Sequence, residues 1–93
     1  MENDKKVRTF SLLQYVEAAL TKAEYEWDED GVVIAQMPNT SGFFTQGDTF
    51  EEARTNLRDV IEGNVLLALQ LGYAIPPVEG IAIEEQDAQA VAA

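Results

Sequence analysis

The chain has 93 residues, of which 17 are acidic and 6 basic, and its formal net charge is −11. Negative charge of this size repels phosphate backbones over a Debye length of about 8 to 10 Å, which argues against direct binding of nucleic acid. The sequence has no cysteine and no histidine, and this excludes disulfides, thiolate metal sites and the commonest general base. We therefore expect no metal, no other cofactor and no enzymatic activity.

The start of the chain, "MENDKKVRTF", is charged and lacks the apolar core of a signal peptide. No apolar run approaches the ~20 residues needed to cross a bilayer. These features predict a soluble cytoplasmic protein that does not bind membranes. We expect residues 1–93 to form a single domain. A domain of this size removes only about 60 to 65 % of the unfolded chain's surface from water, so association would stabilise it.

The segment "SLLQYVEAALTKA" predicts a helix over residues 11 to 23. Ser11 and Gln14 have the spacing of a capping box, in which each side chain satisfies backbone amides at the start of a helix. Apolar residues recur at helical spacing and share one face, which we expect to be buried: Leu12, Val16, Ala19, Leu20 and Ala23.

Three short strands are predicted next. In "EYEW" the alternation places Tyr25 and Trp27 on one side and the glutamates on the other. "DEDG" is typical of a tight turn, because Asp-Gly readily takes positive φ. "VVIAQM" is a β-branched strand that Pro38 ends, and "FFTQ" is a third strand after a loop. Because the strands are close in sequence, they predict an antiparallel meander.

The segment "TQGDTFEEA" marks a junction between two elements. Gly47 ends the third strand, and Thr49 with Glu52 forms a second capping box. A long helix follows as far as Gly72, which suits its C-terminal cap. A short fourth strand is predicted near residues 81–84, and residues 85–93 are predicted to be a mobile acidic tail. The buried stripe of the long helix is expected to contain Phe50, Ala53, Leu57, Ile61, Val65 and Ala68.

The fold class is therefore α+β, with an N-terminal helix, a three-stranded antiparallel meander and a long helix packed on it. In the second half of the long helix, "VLLALQL", apolar residues occur all the way round. A helix of this kind is buried on every side, and the small fold has little to cover it. We therefore expect a homodimer or homotetramer. Gly63 marks either a close approach of another backbone or a tolerated irregularity. The predicted subunit contact contains Val60, Gly63, Leu66, Leu67 and Leu71.

The stretch "YEWDEDGVVIAQMPNTSGFFTQGDTFEEARTNLRDVIEG", followed by "GYAIPP", resembles the HicB antitoxin family. This stretch shares with the family the order of its elements: a strand, an acidic turn, a second strand ending in proline, a third strand, Gly-Asp-Thr, Glu-Glu-Ala and a long helix closed by Ile-Pro. The opening helix resembles that of a subset of small HicB-like proteins. The resemblance implies a partial ribonuclease-H-like unit that forms dimers or larger assemblies.

The resemblance also implies a partner. In two-component systems a HicB protein masks HicA, a small basic RNA-cleaving toxin with a double-stranded-RNA-binding fold. Many HicB proteins continue into a domain that binds DNA. This chain ends soon after Pro77, and we expect it to lack that domain. Its loop "NTSGFF" replaces the acidic-leucine-proline segment that is more usual in the family, so the resemblance identifies no partner contact there.

An acidic cluster is the predicted partner-binding surface. Residues 24–53 hold eight acids and no base. The cluster is either a solvated face or a docking surface for a basic protein, where complementary charge speeds encounter. A magnesium-dependent nuclease is disfavoured, because two-metal sites need carboxylates that converge from different elements. The cluster contains Glu24, Glu26, Asp28, Glu29 and Asp30.

The aromatic residues Tyr25, Trp27, Phe43 and Phe44 could form a stacking platform for bases. Such platforms need a positive groove, and no lysine or arginine lies between Lys22 and Arg54. Packing in a core or interface is therefore favoured. Two functions remain open: an antitoxin-type regulator that neutralises a HicA-like toxin, and a freestanding oligomeric domain with another partner or ligand.

Overall fold

The computed structural model describes residues 6–38, 40 and 42–87. Strands β2, β3 and β4 form an antiparallel sheet in that order, and β1 pairs with β5 in a separate two-stranded sheet. The predicted α+β class, with two helices and a three-stranded meander, is confirmed. The elements are β1 (Lys6–Thr9), α1 (Leu12–Thr21), β2 (Glu24–Trp27), β3 (Val33–Gln36), β4 (Phe44–Gly47), α2 (Phe50–Leu71) and β5 (Glu84–Asp87).

Helix α1 begins where the capping box predicted. The Ser11 Oγ accepts a hydrogen bond from the Gln14 amide at 3.1 Å. The helix is shorter at both ends than the predicted range of 11–23. Its buried residues include Tyr15, which the predicted face omitted. The Tyr15 hydroxyl donates to the Pro76 carbonyl at 2.5 Å, and burial raises the pKa of Tyr15 to about 12.

The β2–β3 hairpin closes through the predicted acidic turn. The Asp28 amide donates to the Val32 carbonyl at 2.7 Å, and Gly31 adopts a φ of 85°. A positive φ of this kind costs glycine little, because it has no Cβ. The register then places Val33 opposite Gly47 and Ala35 opposite Thr45. Val33 and Ala35 are fully buried, so this is the face of the sheet on which α2 packs.

Helix α2 covers that face with the stripe read from the sequence. Its buried residues are Ala53, Leu57, Ile61, Val65 and Ala68. Phe50, the remaining member of the predicted stripe, is 48 % exposed. Its ring packs edge-on against Tyr25 and Trp27. Gly72 caps the helix in the left-handed conformation, with φ at 74°, as the sequence predicted.

The two-stranded sheet corrects the prediction of a fourth strand near residues 81–84. The strand lies at Glu84–Asp87 and pairs with β1, which was not predicted, instead of extending the meander. The register sets Arg8 opposite Glu85 and Thr9 opposite Glu84. The predicted mobile tail, residues 85–93, thus begins inside β5. Residues 88–93 lie outside the described residues.

Arg8 attaches this sheet to the end of α2. Its guanidinium donates to the Tyr73 carbonyl at 2.6 Å and to the Ala68 carbonyl at 3.3 Å. The last turn of α2 contains no basic residue, and its carbonyl groups carry partial negative charge. Arg8 of β1 therefore supplies the positive charge that the last turn of α2 lacks, although the two segments are far apart in sequence.

We expect the Thr49→Ala variant to lose about 1 kcal/mol of unfolding free energy, the usual size of a lost N-cap. The Thr49 side chain accepts from the Glu52 amide at 3.0 Å, and the Glu52 carboxylate accepts from the Asp48 amide at 2.5 Å. Urea unfolding followed by circular dichroism measures the loss. Thr55→Ala, at an exposed position within the same helix, is the control. An equal loss in both variants would contradict a capping role.

Candidate protein-interaction surfaces

The three-stranded sheet has one face that points away from α2, here called the open sheet face. Strand alternation and register place six side chains on it. Five of the six are exposed to solvent and Ile34 is half-buried, so no described element covers this face. Its members are Glu24, Glu26, Ile34, Gln36, Phe44 and Gln46.

Phe44 gives the open sheet face an exposed apolar side chain on its β4 edge. Its side chain is 63 % exposed, whereas the neighbouring Phe43 is 3 % exposed in the core. The sequence predicted packing in a core or interface for both phenylalanines. Consecutive strand residues point to opposite faces, and the structure separates them accordingly. Phe44 is thus available for contact with another molecule, while Phe43 belongs to the fold.

The predicted acidic cluster is divided between this face and the adjoining turn. Glu24 and Glu26 project from β2, one of the two edge strands of the sheet. Asp28 is half-buried, and its carboxylate accepts from the Glu29 amide at 2.6 Å. Glu29 and Asp30 are exposed at the tip of the hairpin. These five residues, here called the acidic surface, therefore run along one edge of the sheet and round its end.

The charge of the acidic surface is not neutralised within the described part of the chain. None of its five residues forms an ion pair there, since Lys22 pairs with Glu79 at 3.2 Å and Arg58 pairs with Glu17. The hydrogen bond from Arg58 lowers the pKa of Glu17. Lys22 and Arg58 are thus engaged with carboxylates outside the acidic surface.

Trp27 contributes an aromatic surface beside these acids. It is 60 % exposed, and its ring lies 5.3 Å from that of Phe50 between centroids, with the planes 82° apart. The sequence predicted that Tyr25 and Trp27 share a side of the sheet, and they do, since both contact Phe50. What the alternation could not show is that α2 begins beside Trp27 without covering it.

Two kinds of feature are absent from the described residues. No group of three acidic side chains there is arranged to hold a metal ion. Neither helix in those residues combines the length and the apolarity that crossing a bilayer requires. The acidic surface follows a strand and a turn, so its carboxylates do not converge as a two-metal site would require.

Four of the five residues of the predicted subunit contact on α2 are exposed and Val60 is half-buried, and the contact faces in two directions. Leu67 and Leu71 are 50 % and 53 % exposed. Asn64 and Leu67 border a groove with Phe43 and Tyr73 on the β4 side of the helix. Val60 and Leu71 continue the line of Asn64 and Leu67 at helical spacing, and Gly63 is exposed, with no atom within 4 Å of a Cβ built there.

Leu66 lies on the other flank of α2. It follows Glu62 by one helical turn, and Glu62 borders a cavity with Leu13 and Arg58 on the α1 side. Leu66 is 45 % exposed. The sequence could not assign the flanks, because the assignment depends on which side of α2 helix α1 packs.

Comparisons with known proteins place most of the chain in one family. The family described as UPF0150-like matches residues 14–76. The UPF0150 protein ssr1258 of Synechocystis is 43 % identical over 37 residues, which are 40 % of this chain. The match spans 54 % of that relative, about half its length. The crystal structure of TTHA0281 from Thermus thermophilus superposes with a TM-score of 0.72 at 30 % identity, covering 78 % of this chain and 91 % of that one.

Proposed function

The chain belongs to the UPF0150-like family, and we propose that it is a non-catalytic, cytoplasmic regulator of the HicB antitoxin type. Its partner is a small basic RNA-cleaving protein resembling HicA, which it neutralises by direct contact. One observation carries the proposal: an acidic surface without ion pairs among the described residues lies along one edge of an uncovered sheet face, and the exposed Phe44 lies on the opposite edge of that face.

Charge complementarity explains how such a contact would silence a toxin. An RNA-cleaving protein needs lysine and arginine to hold phosphates. Glu24 and Glu26 would bind the same lysine and arginine side chains and so exclude RNA from them. Complementary charge also raises the association rate and penalises partners of the wrong sign. The acidic surface therefore supplies both selection of a basic partner and competition with RNA.

Aromatic side chains supply the remainder of the contact. Two exposed aromatic side chains flank the acids: Trp27 on the α2 side of β2, and Phe44 across the open sheet face on β4. Buried aromatic anchors dominate most measured interfaces, and an arginine or lysine of the partner can stack on an indole face. The acids would thus guide encounter, and the aromatic rings would hold the complex once water is excluded.

A second function remains open, that of a freestanding oligomeric domain with another partner or ligand. The exposed leucines of α2 favour assembly whether or not a toxin exists. The first experiment is therefore to co-express the protein with a small basic protein encoded beside it and to follow growth, RNA integrity and co-purification. A neighbour that is toxic yet neither bound nor silenced would remove the antitoxin function.

Charge reversal tests the surface itself. We expect Glu24→Lys/Glu26→Lys to slow association with the basic partner about tenfold or more at low salt, since steering depends on these charges. Biolayer interferometry over a salt series measures the rate. Glu62→Lys/Glu84→Lys changes the net charge equally at exposed positions away from the acidic surface. Equal slowing by both double variants would reject the acidic surface as the docking site.

The same preparation should not bind RNA or duplex DNA on its own at about 150 mM salt, because phosphate-neutralising side chains supply most non-specific affinity. Fluorescence anisotropy with labelled oligonucleotides measures this. Tight binding by the isolated protein would show that nucleic acid, and not a basic protein, is its ligand.

A further inference from the structure

We propose that Trp27 and Phe50 form a binding site for an arginine side chain of a basic protein, here called the aromatic corner. It lies on the α2 side of β2, whereas Glu24 and Glu26 project from the open sheet face. The inference rests on the proposed function for the protein that carries the arginine, and it names the side chain which that partner must supply. A partner bound at both surfaces would contact β2 on its two faces.

The two rings of the aromatic corner stand nearly at right angles. Their centroids are 5.3 Å apart and their planes are 82° apart, and both side chains are exposed to solvent. Tyr25 contacts the same Phe50 ring, at 6.1 Å between centroids, so two aromatic neighbours on β2 hold Phe50 in place. Aromatic walls around a cation are an arrangement by which proteins recognise organic cations. Walls fixed before binding also lose less conformational entropy when the ligand arrives.

Charge favours a cation as the occupant. The hairpin turn that follows Trp27 holds three acids, and Glu51 follows Phe50 in the first turn of α2. Glu51 and Glu52 also offset the positive end of the helix dipole, which would otherwise repel a cation. The three acids of the turn are Asp28, Glu29 and Asp30. A cation at the aromatic corner therefore meets negative charge from two elements.

The basic residues on either side of this segment interact with other carboxylates. Lys22 pairs with Glu79 at 3.2 Å. A hydrogen bond from Arg58 and the positive charge of Arg54 lower the pKa of Glu17 on α1. A second copy of the chain suits the aromatic corner poorly, because a two-fold contact sets identical patches, and hence these acids, together. The cation therefore comes from a basic partner.

Arginine suits the aromatic corner better than lysine does. Its guanidinium is planar, so it stacks on a ring face while its N–H groups point outward to carboxylates in the same plane. A lysine ammonium is a compact, strongly hydrated charge that has to lose water before it reaches a ring. The hairpin turn and the first turn of α2 both offer carboxylate acceptors to a stacked guanidinium.

Fluorescence of the native protein tests the choice of arginine. Trp27 is the single tryptophan of the chain, so its emission reports on the aromatic corner directly. We expect a short glycine peptide with two arginines to change this emission at low salt. The matching lysine peptide, of equal charge, should need about twofold to fivefold higher concentration for the same change, the range that cation–π contacts at exposed sites supply. Equal responses to the two peptides, or no response to either, would overturn the assignment.

A pair of phenylalanine variants tests the location. Phe50→Leu removes one wall and keeps the reporter, so it should weaken binding of the arginine peptide about twofold to fivefold. Phe44→Leu, at an exposed phenylalanine on the open sheet face, is the matched control and should leave the titration unchanged. Circular dichroism checks the fold of both variants. Equal weakening by the two would contradict a site at the aromatic corner. Emission that shifts when the protein alone is diluted, and that ignores both peptides, would show that a second copy covers the rings and would also overturn the proposal.

Failure of this inference can be told apart from failure of the proposed function. A protein that silences its basic neighbour, but whose Trp27 emission ignores the arginine peptide, would remove the aromatic corner alone. A protein that binds the arginine peptide as expected, but neither binds nor silences a toxic neighbour, would keep the arginine site and remove the antitoxin function.

Discussion

Replacing Gly47 with alanine should destabilise the protein by about 3 kcal/mol, the size expected when a side chain is forced into a packed site. A Cβ at this position would lie 2.5 Å from the Ala53 amide nitrogen and 2.9 Å from the Ala53 Cα. These are backbone atoms in the first turn of α2. They can move away only if the helix separates from β4, and that contact contains the core.

The control for this prediction is another glycine of the same chain. Gly63→Ala introduces a Cβ into open space within a helix, so the unfolding free energy of the dilute monomer should rise by up to about 1 kcal/mol. Urea unfolding of both variants gives the comparison. A Gly47→Ala variant as stable as the native protein would show that the junction between β4 and α2 is looser than the structure indicates.

The junctions between elements could be predicted because their signals are local. Ser11 and Thr49 precede apolar periodic segments, and each is found accepting a hydrogen bond at a helix start. Gly72 is likewise found as the C-terminal cap. In each case the residues that make the contact are separated by a few positions, so a single sequence contains the whole motif.

The two-stranded sheet could not be predicted because its signals are distant. "KVRT" and "EEQD" are four residues each and charged, and "EEQD" has no β-branched or aromatic residue. They are stabilised by each other across the length of the chain, and by Arg8 at the end of α2. Neither segment alone indicates its partner, so the pairing is apparent only in the folded structure.

The parts of the candidate surfaces that follow from the alternation of side chains along a strand could be predicted from the sequence. "EYEW" indicated that its glutamates would share a face, and the register confirms it. The difference between Phe43 and Phe44 depends on where β4 begins, and the difference between Leu66 and Leu67 depends on where α1 packs. Both differences depend on the tertiary structure. The sequence therefore identified the right segments but could not assign each residue to its surface.

Raising the pH from about 10 to about 12 should lower the unfolding free energy through Tyr15, whose ordinary pKa is about 10. Burial raises the pKa of Tyr15 to about 12 in the folded protein. The folded state thus favours the neutral phenol, which donates to the Pro76 carbonyl at 2.5 Å. This contribution is fully present below a pH of about 10 and is lost as the pH rises through the folded-state pKa. Over this range the loss is about 2 kcal/mol.

Tyr15→Phe separates the hydrogen bond from the titration. Near neutral pH it should cost about 1 kcal/mol, because the Pro76 carbonyl loses its donor. Above a pH of about 10 the variant should lack the alkaline fall and approach or exceed the native protein in stability. Urea titrations at a series of pH values measure both effects. Tyr73→Phe, at a side chain 61 % exposed, leaves the Tyr15 contact intact and should keep the fall. An unchanged alkaline slope in Tyr15→Phe would show that another group causes it, and that Tyr15 contributes to the fold through packing alone.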